Sequence, residues 1–234
     1  MAAMIWPPPV HEVKSLPVDE LAMRLLRRLA QNSPGENETH RGNVTGQCPA
    51  EVAREFAEAY DWLVIHGLVS VNPGDSIGWG FITRRGRRLA AEPQGLERLH
   101  AEERLDAELH SKIGTRARTQ FLLGEPEAAV LIAMREVEIA IRDLAQLSDD
   151  LVGKALVQEA FKEGGPLCDP TLGKGEQEAM LALFRGTLGT FKNPSSHREV
   201  DYGDATFASE VVLLADLLLR LLDRTPAAQQ RQEQ

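Results

Sequence analysis

The chain has 234 residues, which is enough for one large or two small domains with cores of their own. Its net charge of −9 argues against broad, sequence-independent coating of nucleic acid. No apolar run approaches the length needed to span a bilayer, and no basic region followed by an apolar segment marks a signal peptide. We therefore expect a cytoplasmic location and no membrane partner.

The N-terminal residues predict an extended arm followed by two helices. Residues 1–16 contain three consecutive prolines and little periodicity, which indicates the arm. Residues 18–30 and 49–66 repeat apolar side chains at helical spacing, and Gly67 favours a helix end. The polar segment 31–47 predicts a loop without a further helix. The apolar positions are Leu21, Leu25, Leu26 and Leu29 in the first helix and Val52, Phe56, Tyr60 and Leu63 in the second.

A β-hairpin is predicted directly after the second helix. Residues 68–71 and 77–83 read as short strands, and Asn72-Pro73-Gly74-Asp75 lies between them as a turn. A helix, a hairpin and a following basic segment resemble the last part of a winged-helix domain. The resemblance implies a small winged-helix-like α/β domain over residues 17–95.

The charges on this domain argue against DNA as a partner. The second helix, which would take the place of a recognition helix, has a single Arg54 among its acidic residues. Such a face repels phosphate, so protein contact or a scaffolding role is favoured over DNA binding. The acidic residues are Glu51, Glu55, Glu58 and Asp61, and the basic residues after the hairpin are Arg84, Arg85, Arg87 and Arg88.

The second half of the chain predicts an all-helical bundle. Residues 96–114 are highly charged with spaced leucines and read as a connecting helix, while the Gln-rich residues 226–234 read as a disordered tail. The bundle occupies residues 115–225, with Asp204 as the N-cap of its last helix. Helices are predicted at 125–147, 150–162, 174–190 and 205–223.

Nothing in the sequence indicates a cofactor or a metal. Cys48 and Cys168 lie far apart and lack partner histidines at ligand spacing, so we expect neither a disulfide framework nor a zinc site. No glycine-rich phosphate loop, nucleophile elbow or paired metal-binding histidines occur.

The run Lys192-Asn193-Pro194-Ser195-Ser196-His197 carries the chemistry. On one continuous helix, Lys192 and His197 would point in different directions, but Pro194 disfavours such a helix and suits the first turn of a new one. The cation can then fold back beside the imidazole, at a helix start where phosphate binds readily. A histidine beside a fixed cation can move protons around a phosphodiester.

The order of segments around this run resembles the HEPN superfamily, and within it the bacterial family named Ymh, whose signature reads Arg-Asn-Pro-x-x-His. The resemblance covers roughly residues 115–225 and implies a helical bundle that acts as a metal-independent endoribonuclease on RNA. It gives His197 the acid–base role and Asn193 the polar position after the cation. The flanking segments are Ala128–Ile141, Leu183–Gly186 and Val211–Leu222, and the supporting residues are Glu138, Arg142, Arg185 and Arg198. Glu138 and Arg142 lie four apart on one predicted helix, where positioning of His197 or the phosphate and an ordinary intrahelical ion pair explain them equally well.

The chain departs from the family signature at Lys192, where the family has arginine. Lysine keeps the charge but loses the planar fork, and Arg185 and Arg198 are the nearest guanidinium groups. Three functions stay open: a dimeric ribonuclease, a non-catalytic adaptor that contacts a protein through the N-terminal domain, and, least favoured, a DNA-binding regulator. The resemblance implies a homodimer and leaves a toxin, a phage-defence effector and a housekeeping factor open as roles.

Overall fold

The structure is a computed structural model that describes residues 6–32, 39–72, 79–106, 108–192 and 204–232. The described residues are mainly helical with one small sheet, as the sequence predicts. The chain forms two compact units, residues 1–99 and 100–234, and each has an apolar core of its own. Within the described segments, no helix combines the length and the apolar character that a bilayer crossing requires.

The N-terminal unit combines helices with a three-stranded antiparallel sheet in the order β1–β3–β2. β2 and β3 form the predicted hairpin, in which Val69 pairs with Ile82. β1 is a two-residue strand whose Thr39 pairs with Gly80 on the other edge of β3. The elements are α1 (Val10–Ser15), α2 (Val18–Asn32), β1 (Thr39–His40), α3 (Arg41–Gly46), a 3₁₀ turn (Ala50–Val52), α4 (Ala53–Ile65), β2 (Val69–Val71), β3 (Trp79–Ile82) and α5 (Arg84–Ala91).

The core of this unit lies where the apolar faces of α2 and α4 meet. The predicted apolar positions of both helices are buried, apart from Leu29, which is partly buried against the same core. Each fully buried Leu or Phe contributes about 1.5–3 kcal/mol relative to an exposed one. Gly67 has a φ of +67° directly after α4, a conformation that glycine adopts without steric cost.

Two sequence predictions for the N-terminal unit are wrong. Residues 1–16 are not an extended arm throughout, because α1 follows the prolines and buries Val13 in the core. The segment 31–47 is not simply a loop, because β1 and α3 lie within it. Both elements are too short for their periodicity to stand out, and α3 begins where the His40 side chain accepts a hydrogen bond from the Gly42 N–H.

The described elements of the C-terminal unit are all helices, joined by turns and loops. The predicted helices 125–147, 150–162, 174–190 and 205–223 are confirmed, with ends that differ by a few residues. The Asp204 carboxylate caps the last of them by accepting from the Phe207 N–H at 2.7 Å, as predicted. The first element is α6 (Gly95–Arg104), which spans the boundary between the two units. The elements after it are α7 (Ser111–Gly114), α8 (Arg116–Leu122), α9 (Pro126–Ala145), α10 (Gly153–Phe161), α11 (Lys174–Thr187), a π-helical turn (Leu188–Lys192), α12 (Ala205–Asp223) and α13 (Pro226–Gln232).

Helix α9 lies at the centre of this unit and packs against α8, α10 and α12. Its apolar residues Met134, Val137 and Ile141 are fully buried. The apolar face of α12 is buried as well, apart from Leu214, which is only half-buried. Its buried residues include Val211, Val212, Ala215, Leu218, Leu219 and Leu222. The packing of two long apolar faces explains why the two helices could be recognised from the sequence.

Two predictions for the C-terminal unit are corrected. The connecting helix 96–114 is two helices, α6 and α7, and the Asp216 carboxylate accepts from the His110 N–H at 2.6 Å in front of α7. The tail 226–234 is not disordered throughout, because α13 is a helix from Pro226 to Gln232. Arg231 of α13 donates to the Asp143 carbonyl of α9 at 2.7 Å, a tertiary contact that the Gln-rich composition does not reveal.

Candidate active site

The chain enters the Lys-Asn-Pro motif through a change of helical winding. Helix α11 ends at Thr187, and the π-helical turn Leu188–Lys192 continues it. Such wide turns are rare and occur frequently at functional sites. The described residues of this stretch end at Lys192, so the predicted site residues Asn193, His197 and Arg198 lie outside them. Of the three proposed catalytic residues, Lys192 is the one that belongs to the described part of the chain.

Lys192 forms an ion pair with a buried carboxylate on α9. Its ammonium Nζ lies 3.2 Å from Glu138 Oε2. The Glu138 side chain is only 7% exposed and that of Lys192 only 19% exposed. Water screens such a pair much less than a surface pair, so the attraction holds the end of the π-helical turn close to α9. The structure thus brings together two of the residues that the sequence singled out.

Glu138 also contacts the start of α10. Its Oε2 accepts a hydrogen bond from the Gly153 N–H at 3.2 Å. The residue at the N-cap of this helix is Val152, whose side chain cannot cap. A carboxylate at a helix N-terminus satisfies a free N–H and interacts favourably with the helix dipole. Glu138 therefore serves α10 as a cap supplied by another helix.

Arg142 binds the other carboxylate oxygen of Glu138 and forms a cluster with Glu138 and Lys192. Its Nη2 donates to Glu138 Oε1 at 3.3 Å and to the Leu151 carbonyl at 3.0 Å. Its Nε lies 3.7 Å from Asp149 Oδ1, which is too long for a hydrogen bond, and the Asp149 side chain is fully exposed. The predicted pair of Glu138 and Arg142 is present. It is more than an exposed intrahelical pair, because Arg142 also ties α9 to the segment before α10.

Arg185 does not contact the Glu138 cluster in any described interaction. Its Nη1 donates instead to Gln158 Oε1 of α10 at 3.3 Å, and its side chain is exposed. Arg185 lines an open groove of about 480 Å³ together with Lys154, Glu178 and Gly189. Sequence reasoning missed Lys154, because only the packing of α10 against α11 brings it near Arg185.

Neither cysteine contributes to the cluster. Cys48 is in the N-terminal unit, where its thiol donates to the Val44 carbonyl at 3.1 Å and burial raises its pKa. Cys168 lies in the loop before α11 and donates to Gln177 Oε1 at 3.3 Å. Both are free thiols. Over the described segments, no group of three or more His, Cys, Asp or Glu side chains has the arrangement of a metal site.

Residues 107–222 match the model of a family described as "Protein of unknown function (Hypoth_ymh)". The matched segment contains Glu138, Arg142, Lys154 and Lys192, as well as the complete motif up to His197. Neither the curated proteins nor the solved structures that were compared gave a significant match to the chain.

Proposed function

With its C-terminal half matching the Ymh family, we propose that this protein is a metal-independent endoribonuclease of the HEPN type. Lys192, Asn193 and His197 form its active site in this proposal, and Glu138 and Arg142 hold Lys192 in place. The N-terminal unit then regulates or localises the activity by contact with another protein.

The observation that carries the proposal is the ion pair of Lys192 with Glu138. Burying a carboxylate and two cations costs several kcal/mol of desolvation per ion, which apolar side chains of similar size would avoid. The cluster instead joins α9, the start of α10 and the turn that leads into the motif. A purely structural role would account for the links among helices. The same carboxylate also holds Lys192, the cation that begins the motif, and this favours a role of the cluster in catalysis.

The proposed reaction is transfer of a phosphodiester to the neighbouring ribose hydroxyl. His197 removes the proton from the 2′-hydroxyl, whose oxygen attacks phosphorus while the bond from phosphorus to the 5′-oxygen breaks. The leaving 5′-oxygen receives a proton from a second acid, which the His197 of a second copy of the chain supplies. Lys192 offsets the charge that builds up on the phosphate oxygens, and Asn193 orients the phosphate or the imidazole.

We expect the purified protein to cleave RNA in the presence of EDTA. Because the 2′-hydroxyl is the internal nucleophile, the products should carry 2′,3′-cyclic phosphate and 5′-hydroxyl ends. An oligodeoxynucleotide of the same sequence lacks that hydroxyl and should stay intact. Labelled RNA analysed on denaturing gels, with end-group analysis, checks all three expectations. Absence of cleavage over a broad panel of structured and unstructured RNAs would favour the adaptor instead.

We expect the active form to be a homodimer, because one copy of the motif supplies only one histidine. Helix α12 supports this, since Phe207 and Leu217 on it are 42% and 51% exposed although both are large and apolar. Sedimentation velocity at micromolar concentration should show a dimer, and Leu217→Asp should shift it towards monomer. A monomer with full activity would contradict the dimeric mechanism.

The adaptor is the second candidate, and the N-terminal unit supports it. The order of α2, β1, α3, α4, β2 and β3 resembles that of a winged-helix domain, which supports the proposal of a winged-helix-like unit. The exposed face of its α4 segment carries Glu58 and Asp61, and Asp61 pairs with Arg41 at 2.8 Å. Two of the arginines after the hairpin donate to backbone carbonyls, Arg85 to that of His66 and Arg87 to that of Ile82. These charges suit a protein partner better than DNA.

A further inference from the structure

An open groove lies beside the turn that carries Lys192. Residues 178–186 of α11 form one wall, Lys154 near the start of α10 lies opposite, and the π-helical turn closes one end. The groove has a volume of about 480 Å³. Gly189 and Thr190 of the turn face it, only two residues before Lys192. The groove is therefore formed in part by the same turn that ends at Lys192.

The groove has a local charge opposite to that of the whole chain. Lys154 and Arg185 reach it from two different helices, and Glu178 is its acidic residue, whereas the complete protein has a net charge of −9. Lys154 and Arg185 are both exposed. Within the described segments Lys154 forms no ion pair, and the described polar contact of Arg185 is with the neutral Gln158. The two cations are therefore available to an anionic ligand.

The backbone of the π-helical turn at Gly189 lies close to the Lys154 side chain. A Cβ added at Gly189 would be 2.9 Å from Lys154 Cε and 3.7 Å from its Nζ. The aliphatic stem of Lys154 thus lies along the backbone of the turn, which limits the positions of the ammonium group. Thr190 adds a hydroxyl on the same rim. A guanidinium, an ammonium and a hydroxyl around an open groove are a donor set for phosphate oxygens.

We propose that this groove binds the phosphate backbone of single-stranded RNA on one side of the cleaved bond. The proposal rests on the proposed ribonuclease function, and it adds Lys154 and Arg185 as substrate-binding residues outside the motif. An open groove suits a chain that continues past it. Contacts to phosphates position a nucleic acid without reading its bases, so binding here should be independent of sequence.

The test measures binding separately from cleavage. A fluorescent single-stranded RNA with 2′-O-methyl groups throughout cannot be cleaved, because the nucleophile is blocked, and fluorescence anisotropy gives its affinity. The double variant Lys154→Ala/Arg185→Ala should bind about tenfold more weakly, since each exposed cation contributes a few-fold. The slope of log affinity against log salt should become shallower by about 1.4, the value for the loss of two phosphate contacts to a single strand.

Two further variants make the test specific. Lys112→Ala/Arg116→Ala removes the same charges from exposed positions on α7 and α8, so its affinity should stay close to that of the unmodified protein. Glu178→Gln removes the negative charge of the groove and should tighten binding by a few-fold. Thermal unfolding of each variant verifies that the fold is retained.

The outcomes separate this inference from the function on which it rests. Weaker binding by the groove variant alone supports the groove, whether or not unmodified RNA is cleaved. Equal losses in both double variants, or no binding by the unmodified protein, would overturn the groove. Cleavage of unmodified RNA with unchanged KM in the groove variant would also overturn it, while leaving the ribonuclease function in place.

Discussion

Replacing Glu138 with alanine should lower the free energy of unfolding of the C-terminal unit by about 3 kcal/mol. The substitution leaves Lys192 and Arg142 beside an empty, uncharged site, and it leaves the Gly153 N–H at the start of α10 without its acceptor. Breaking a buried ion pair costs about 3–5 kcal/mol. The lower end applies because the two cationic side chains keep 19% and 15% of their exposure.

Glu138→Gln removes the negative charge but keeps the volume of the side chain, so it measures the contribution of the charge by itself. Glutamine fills the same space and still offers its one amide oxygen to the Gly153 N–H. The attraction to the two cations is lost, together with the acceptor for Arg142 Nη2. We expect this variant to lose about 1–2 kcal/mol, less than the alanine variant. It should also impair any function that requires Lys192 to be held in place.

The positions of the tryptophans allow the two units to be followed separately. The three tryptophans, Trp6, Trp62 and Trp79, all lie in the N-terminal unit, so their fluorescence reports on that unit. Far-UV circular dichroism includes the helices of the C-terminal unit. In urea, Glu138→Ala should shift the midpoint of the circular dichroism transition more than that of the fluorescence transition. Faster hydrogen exchange in peptides from α9 and α10 would locate the effect.

Glu136→Ala is the matched control on the same helix. Glu136 pairs with Arg116 at 3.5 Å, and the Arg116 side chain is 72% exposed, so the pair is worth about 0–1 kcal/mol. Equal losses of stability in Glu136→Ala and Glu138→Ala would mean that the buried carboxylate does not hold the turn, and the argument for a positioned Lys192 would fail with it.

Helices were predictable from the sequence where one long apolar face decides the structure. The faces of α2, α4, α9 and α12 are continuous over several turns, because each packs against a core along its whole length. The missed element α13 is short and polar. Contacts to distant parts of the chain hold it in place, such as that of Arg231 with the Asp143 carbonyl. The hydrophobic periodicity of the sequence does not reveal such contacts.

The candidate site was predictable in its residue types but not in its connections. The motif indicated a cation at Lys192, and spacing indicated a pair of Glu138 and Arg142. Glu138 pairs with both Lys192 and Arg142 because α9 packs beside the π-helical turn. No local sequence pattern predicts that packing. Lys154 was missed for the same reason, since its partner in the groove lies on another helix.

Replacing His197 with alanine should lower the rate of RNA cleavage by about 10²–10⁴-fold, the usual contribution of a general acid or base. His197 lies outside the described residues, and the expectation follows from its place in the motif after Lys192. Because the rate falls through loss of proton transfer, the affinity for 2′-O-methyl RNA and the unfolding midpoint should stay unchanged. His11→Ala, at an exposed position of α1, is the control for loss of a histidine.

Single-turnover cleavage with excess protein gives the rate of the chemical step for each variant. Lys192→Arg should keep or raise this rate, because arginine retains the charge and adds the fork that binds two phosphate oxygens. Lys192→Met should lower the rate, since the ammonium that offsets the charge of the transition state is gone. If His197→Ala cleaves RNA as fast as the unmodified protein, the assignment of the active site is wrong, whatever the effect of changing Lys192.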